Sequence, residues 1–463
     1  MHVFLSKMKI LIKNGTIITA DTNSASDILI HDQTVSAVGT GLSGNDADRV
    51  IDARGLLIFP GGTDPHVHMH LPAAAGYSSD DFLTGSRAAL YGGTTCIMDF
   101  VTPARGEPLP HALEKRKKEA ENAMIDYSFH VSPVEWRRTT DAEIMDCIRM
   151  GVTSFKVYMA YKNTIGLSDD ALTRVMESVG KAGGMVTIHC EDGDGIEELQ
   201  DRYFSEGHIS PYYHALSRPS VLEARAVEKA VAMAGKAHCP LYIVHVSSGE
   251  SLKYIREAHL RGQRVYAETC PQYLLLDDSK YNGEFDQAAP FVISPPLRTA
   301  VDSNALWDAV ADGTISTVGT DHCPFMLEQK RAGIRDFRKI PGGAGGVEHR
   351  LALLYTYGVL AGRISLNRMV ELFATGPARI FGLSPGKGEI LPGSDADLVI
   401  WNPNTESIIS AASHHQNCDT NIYECLAVKG NADYVIAGGM IIIDKGKMTE
   451  TKKSGKYLFR TMD

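Results

Sequence analysis

Phe59-Pro60-Gly61-Gly62-Thr63-Asp64-Pro65-His66-Val67-His68 carries a predicted β-strand, Leu57–Phe59, through a turn and onto a His-x-His pair. Side chains on an extended chain repeat every two residues, so both imidazoles point to one face. Two neutral imidazoles suit a borderline cation such as Zn²⁺. A lone pair of this kind arises by chance, but four other predicted strands end on a residue that can take part in a metal site: Lys156, His189, His245 and Asp321. Residues so far apart in the chain converge only if their strands are neighbours in a barrel.

Outward from that stretch the chain alternates strand and helix. Apolar runs suited to buried parallel strands occur at Leu57–Phe59, Thr95–Phe100, Tyr127–Val131, Ser154–Tyr158, Met185–His189, Leu241–Val246, Arg264–Glu268 and Ser316–Thr320, the number a closed barrel needs. Helical segments intervene at Asp80–Leu90, Leu109–Asn122, Asp141–Met150, Asp169–Lys181 and Leu222–Ala234, with Asp80, Thr140 and Ser168 as expected N-caps. Both ends of the chain are β-rich instead: Lys9–Ile18 and Asp27–Val38 at one, Asp397–Trp401 and Tyr434–Ile443 at the other. The expected fold is α/β: a (β/α)8 TIM barrel over residues 57–384, with a small β-sandwich built from residues 1–56 and 385–463. Catalytic groups of such barrels lie at the C-terminal ends of the strands, where all the residues singled out fall.

The 463 residues, 44% apolar and 22% charged, are ordinary for a globular protein and enough for one barrel and an accessory domain. A net charge of -10 argues against nucleic acid or an anionic membrane as partner. No apolar run reaches the roughly 20 residues of a membrane helix, and Lys7, Lys9 and Lys13 break up the start, so no secretory signal is expected. Cys96, Cys147, Cys190, Cys239, Cys270, Cys323, Cys418 and Cys425 form no C-x-x-C pair and read as reduced thiols of a cytoplasmic protein. The basic residues between Lys445 and Arg460 read as a solvated or subunit-contacting tail.

Lys156 is the least ordinary residue, since a charged lysine inside an apolar strand is costly to bury. It either pairs with a buried carboxylate or, as a neutral amine, adds CO₂ to become an anionic carbamate able to bridge two metals. Neighbours of the strand-end residues (Cys190, His322 and Cys323) read as pointing elsewhere, and Asp80-Asp81 as the start of a helix.

Together these segments resemble the amidohydrolase superfamily and, within it, the cyclic amidases known as hydantoinases and dihydropyrimidinases. The resemblance runs nearly end to end, through Gly92-Gly93-Thr94-Thr95, Tyr213-His214-Ala215-Leu216-Ser217-Arg218-Pro219, Glu268-Thr269-Cys270-Pro271-Gln272-Tyr273-Leu274, Ser294-Pro295-Pro296-Leu297-Arg298, Gly319-Thr320-Asp321-His322-Cys323-Pro324 and Pro392-Gly393-Ser394-Asp395-Ala396-Asp397-Leu398. It implies a hydrolase that opens the ring –CO–NH– bond of 5-substituted hydantoins or dihydropyrimidines to N-carbamoyl amino acids, with a small cyclic ureide as substrate and a homotetramer as the assembly. Position by position, it implies that His66, His68, Lys156 and Asp321 hold the more buried of two Zn²⁺ ions. Lys156, carbamylated to N6-carboxylysine, would hold the other together with His189 and His245. Asp321 would also move the proton, and Tyr161 would donate to the tetrahedral oxyanion. Ser294 and Gly342 would present backbone groups to the ring, and His70 and Tyr158 would shape the pocket.

Two positions depart from relatives. His70 stands where the dihydroorotase branch carries arginine and the allantoinase branch asparagine, which disfavours dihydroorotate. Gly342 replaces a usual asparagine, and glycine can keep a backbone contact there while loosening the loop. The loop Leu71–Ser79 is apolar and small, which suits an uncharged or aromatic ring substituent. An allantoinase-like or other cyclic-ureide hydrolase is the alternative. A non-catalytic scaffold of the collapsin-response-mediator type is disfavoured, because every ligand position is filled.

Overall fold

The computed structural model describes residues 8–450 and 455–461. Eight parallel strands follow one another round a single sheet in chain order: Gly62–Val67, Thr94–Val101, Asp126–Val131, Ser154–Tyr158, Met185–His189, Leu241–Ile243, Val265–Thr269 and Thr317–Val318. The sheet closes where Val67 pairs in parallel with His322 and His68 N donates to His322 O at 2.8 Å. Buried Arg350 reinforces that seam. It donates to Thr63 O and Val318 O, each at 3.0 Å, and to Thr94 Oγ1 at 3.1 Å, which joins the first, second and eighth strands. The second to fifth strands are buried along their whole length, as parallel strands covered by helices must be.

The first barrel strand is not Leu57–Phe59. Leu57–Pro60 pairs antiparallel with Leu398–Ile408 and parallel with Thr16–Ile18, and so belongs to a seven-stranded sheet drawn from both ends of the chain. Gly62–Val67 takes its place in the barrel, which puts His66 inside a strand rather than after one. The two runs are short, apolar and separated by Gly61 alone, where a Cβ would fall 2.2 Å from Thr95 Oγ1. Periodicity cannot divide such a run; only the pairing partners do. The sixth and eighth strands are shorter than their apolar runs, because His245 and Asp321 leave the ladder with φ of 40° and 52°.

Ser168 caps Asp169–Lys181 as expected, accepting from Ala171 N. Asp81, not Asp80, caps Phe82–Tyr91 in a capping box with Thr84, and Thr139, not Thr140, precedes Thr140–Arg149. The seven-stranded sheet faces a four-stranded one made of Lys9–Lys13, Asp27–His31, Thr34–Gly39 and Arg49–Asp52. Ile10, Ile12, Ile28 and Ile30 of one sheet pack with Ile17, Ile58, Leu398, Ile400 and Ile436 of the other in one buried cluster. That cluster is the sandwich core, worth about 1.5–3 kcal/mol per buried side chain.

The end of the chain is not a solvated tail. Arg460 is buried and donates to Ser154 Oγ at 2.8 Å and to Phe129 O, sealing the N-terminal end of the barrel. Of the tail's basic residues Lys452 and Lys453, like Lys7 of the chain start, lie outside the described residues. Among the described residues no helix is long and apolar enough to cross a membrane.

Barrel and sandwich are joined electrostatically as well. Lys387 Nζ lies 2.6 Å from Asp126 Oδ2 at the start of a barrel strand, 2.6 Å from Asp397 Oδ2 and 2.9 Å from Asp395 Oδ2. The ammonium itself neutralises this acidic cluster, and the carboxylates hold its pKa well above the ordinary lysine value against burial. Lys387→Met leaves buried carboxylates facing one another. It should lower unfolding stability by about 3–5 kcal/mol, read as a fall in the urea midpoint with the m-value unchanged.

Candidate active site

The strand-end residues meet at one mouth of the barrel. His66 Nε2 and His68 Nε2 approach the same oxygen, Asp321 Oδ1, at 3.1 and 3.0 Å, and these ligand atoms lie within 4.8 Å of one another. Across the mouth His189 Nδ1 is 3.0 Å from His245 Nε2, and the His66 and His245 rings are 5.4 Å apart. Lys156 reaches in between, with Nζ 4.9 Å from the centre of the Phe100 ring and 5.1 Å from that of Tyr158. Phe100 also stacks on His68 at 4.6 Å, giving the site an apolar wall.

Two buried glutamates to which the sequence assigned no role orient these residues. Glu268 Oε1 accepts from His66 Nδ1 at 2.6 Å and from His245 N at 3.0 Å, while its Oε2 accepts from Tyr242 OH at 2.8 Å. Glu191 Oε2 accepts from His189 Nε2 at 2.8 Å and pairs with Arg218 Nη1 at 2.5 Å. With Nδ1 of His66 and Nε2 of His189 held by the glutamates, the opposite nitrogen of each ring is left facing the centre of the mouth. Both glutamates follow or end strands, which was the available signal. Nothing in the sequence separated them from other acidic residues.

The electrostatics follow from this packing. Burial pulls the His66 imidazole down, but Glu268 and Asp321 outweigh it and raise the pKa to about 9. Burial lowers His68 and His189 against their carboxylate partners, and it carries His245 well below the ordinary value, aided by His189 and Lys156. Asp321 is held well below the carboxylate range, burial being overcome by His66 and His68. Lys156 is brought down to about 8 by burial, with Asp321 and Glu268 opposing.

The donor set fits divalent metal. His66 Nε2, the ring nitrogen turned to Asp321, is buried without a hydrogen-bond partner, and His68 Nε2 and Asp321 Oδ1 lie close enough to share one cation with it. No carboxylate among the described residues forms an ion pair with Lys156, so the plain explanation for a buried lysine is lacking here.

Around this centre, Tyr161 sits half-buried with its ring 5.4 Å from that of His189 and 5.5 Å from the Arg218 guanidinium. Tyr158 is buried with its ring 5.9 Å from that of His189. Ser294 and Gly342 face each other, a Cβ on Gly342 falling 3.3 Å from Ser294 Oγ. The Gly342 loop runs beside the Asp321 segment, for Cys323 N donates to Ala344 O at 2.8 Å. His70 is exposed and stacks on Tyr77 at 4.0 Å, within a loop that forms a small hairpin, Pro72–Ala73 with Gly76–Tyr77. His322 turns away from the centre onto Asp80 Oδ2 at 3.0 Å, and this bond, with Asn417 N donating to Oδ1, is the role that keeps Asp80 out of the helix cap.

Tyr161, His245 and Asp321 all have left-handed backbones, with φ of 61°, 40° and 52°. Non-glycine residues pay of order 1–3 kcal/mol for such conformations, which persist only when the surroundings enforce them.

Glu191, pulled down to about 2 by Arg218 and His189 against burial, stabilises the folded state above its ordinary pKa of 4.5. That contribution, roughly 3 kcal/mol in size, is lost as pH falls from 4.5 towards 2. In calorimetry of the metal-free protein, Glu191→Gln should be less stable than wild type at pH 6, and the gap should close over that acid window.

The amidohydrolase family profile matches residues 57–442. The chain is 41% identical over 455 residues to the D-hydantoinase of Ralstonia pickettii, covering 98% of this chain and 99% of that one. It is 38% identical over 456 residues to the dihydropyrimidinase of Arabidopsis thaliana, covering 98% and 86%. The crystal structure of dihydropyrimidinase from Brevibacillus agri superposes with a TM-score of 0.96 at 39% identity, covering 98% and 99%.

Proposed function

Because the chain belongs to the amidohydrolase family, whose members are metal-dependent, we propose that it hydrolyses the cyclic amide bond of hydantoins or dihydropyrimidines, giving N-carbamoyl amino acids. The observation that carries this reading is the convergence of four imidazoles, one carboxylate and one unpaired lysine on a single barrel mouth. The names of the relatives point the same way and do not favour an allantoinase-like activity.

In this reading His66, His68, Asp321 and Lys156 hold one Zn²⁺, and Lys156, His189 and His245 hold a second. A lysine drawn down to about 8 by burial offers the neutral amine that CO₂ needs to form a carbamate. The cations, when bound, supply Lewis acidity towards the ring carbonyl and lower the pKa of water.

The chain's own residues do the rest. Asp321 Oδ1 is engaged by His66 and His68, which leaves Oδ2 to take the proton of the attacking water. From there the proton passes to the departing ring nitrogen. The Tyr161 hydroxyl donates to the oxyanion, and the backbone of Ser294 and Gly342 holds the ring from the opposite side. Tyr158 closes the pocket over Lys156, and His70 with Tyr77 borders the space for the ring substituent. The eight cysteines form no disulfide with one another, which supports a cytoplasmic location. Exposed Ile209, Tyr212, Leu216 and Val221, close together in the chain, offer apolar surface for self-association, in this reading as a homotetramer.

Elemental analysis together with turnover of dihydrouracil and 5-phenylhydantoin tests the proposal. Expected are two zinc ions per subunit and opening of at least one of the rings, both lost in Lys156→Ala. A zinc- and bicarbonate-reconstituted wild type that opens neither ring would refute it. Tyr161→Phe should retain metal while kcat falls by roughly 10²–10³ in single-turnover assays.

A further inference from the structure

Lys330 is 1% exposed, and none of its hydrogen-bond partners is a carboxylate. Its Nζ donates to three backbone carbonyls, Val292 O at 2.9 Å, Pro341 O at 2.7 Å and Gly343 O at 2.7 Å. An ammonium has three N–H donors, so its capacity is filled. Burial draws its pKa down to about 7.

Those carbonyls come from two segments, one leading into Ser294 and the other enclosing Gly342. Gly343 N also donates to Val292 O at 3.0 Å, so the ammonium and this bond lock the segments together. On their outer side Gly342 is exposed and Ser294 half-buried, and their backbone is open to a ligand. Carbonyl and N–H of a trans peptide point in opposite directions. With the Pro341 carbonyl turned onto Lys330, the Gly342 N–H is turned away from it, to the open side. A cation at the oxygen end of a peptide also polarises it, which strengthens the N–H at the far end as a donor.

We propose that Lys330 is a positioning residue for ring recognition: its buried ammonium fixes and polarises the Pro341–Gly342 peptide so that Gly342 N–H donates to a carbonyl oxygen of the cyclic substrate. The proposal rests on the cyclic-amide reading above. It concerns the loop beside the Asp321 segment, whose Cys323 N donates to Ala344 O, and assigns no metal-ligand role to Lys330.

The test compares zinc-loaded wild type, Lys330→Met and Gly342→Pro on hydantoin and 5-phenylhydantoin, with metal content and thermal midpoint measured on the same samples. Lys330→Met removes the charge and keeps the bulk. Gly342→Pro removes the donor from an exposed loop without touching the buried lysine, so the proposal stays testable even if the lysine variant does not fold. Loss of one charge-assisted hydrogen bond, about 1.5–3 kcal/mol, corresponds to a KM raised roughly tenfold or more. It should be similar for both rings, with kcat nearly unchanged and metal content intact. An unchanged KM in Gly342→Pro, or in folded Lys330→Met, would overturn the proposal. So would a parallel loss of metal and kcat in Lys330→Met, which marks a purely structural role. A wild type silent on both rings would instead count against the cyclic-amide function.

Discussion

Closure of the parallel sheet between its first and eighth strands is the constraint on which the site depends. The Val67–His322 pairing and the Arg350 bridge bring His66 and His68 against Asp321, residues separated by most of the barrel's sequence. Without that seam the two imidazoles and the carboxylate would stand on opposite edges of an open sheet. Lys156, His189 and His245 are then brought round to the same mouth by succession, since each strand pairs with the next.

Within the closed barrel, buried charge is handled almost everywhere by pairing. Glu268 meets His66, Glu191 meets Arg218 and His189, and Lys387 meets three aspartates. A buried ion left alone is costly enough that the pattern is expected. Lys156 departs from it: its neighbours are aromatic rings and ligand side chains rather than an ion-pair partner. That departure sets Lys156 apart from the other buried charges and is what the proposed metal site would account for. Lys330 departs too, but its ammonium is met by carbonyl dipoles, a neutral cradle that orders loops instead of binding metal.

The mouth also stores conformational strain. Tyr161, His245 and Asp321 hold left-handed backbones that side chains disfavour. In each case the chain has just left a barrel strand, and the turn redirects the side chain from the strand's own alternation into the space above the barrel. Scaffold rigidity, from fully buried strands and the sandwich docked beneath, enforces these turns.

The sequence by itself determined the barrel, the sandwich made from both ends of the chain and the set of strand-end residues, because these depend on local period and on residue types that are costly to bury without purpose. It misassigned Leu57–Phe59, since two adjacent apolar runs differ only in which strands they pair with, and it placed two helix caps one residue late or early, at Asp80 and Thr140. It read the chain end as a solvated or subunit-contacting tail, whereas Arg460 at its end is buried in the barrel floor of the same chain. Tertiary structure alone decided the orienting roles of Glu268 and Glu191, the turning of Asp80 onto His322 and the clamp formed by Lys330. Each of these is a contact between segments remote in the chain, and a one-dimensional pattern carries no signal for a partner that only folding brings within hydrogen-bond reach.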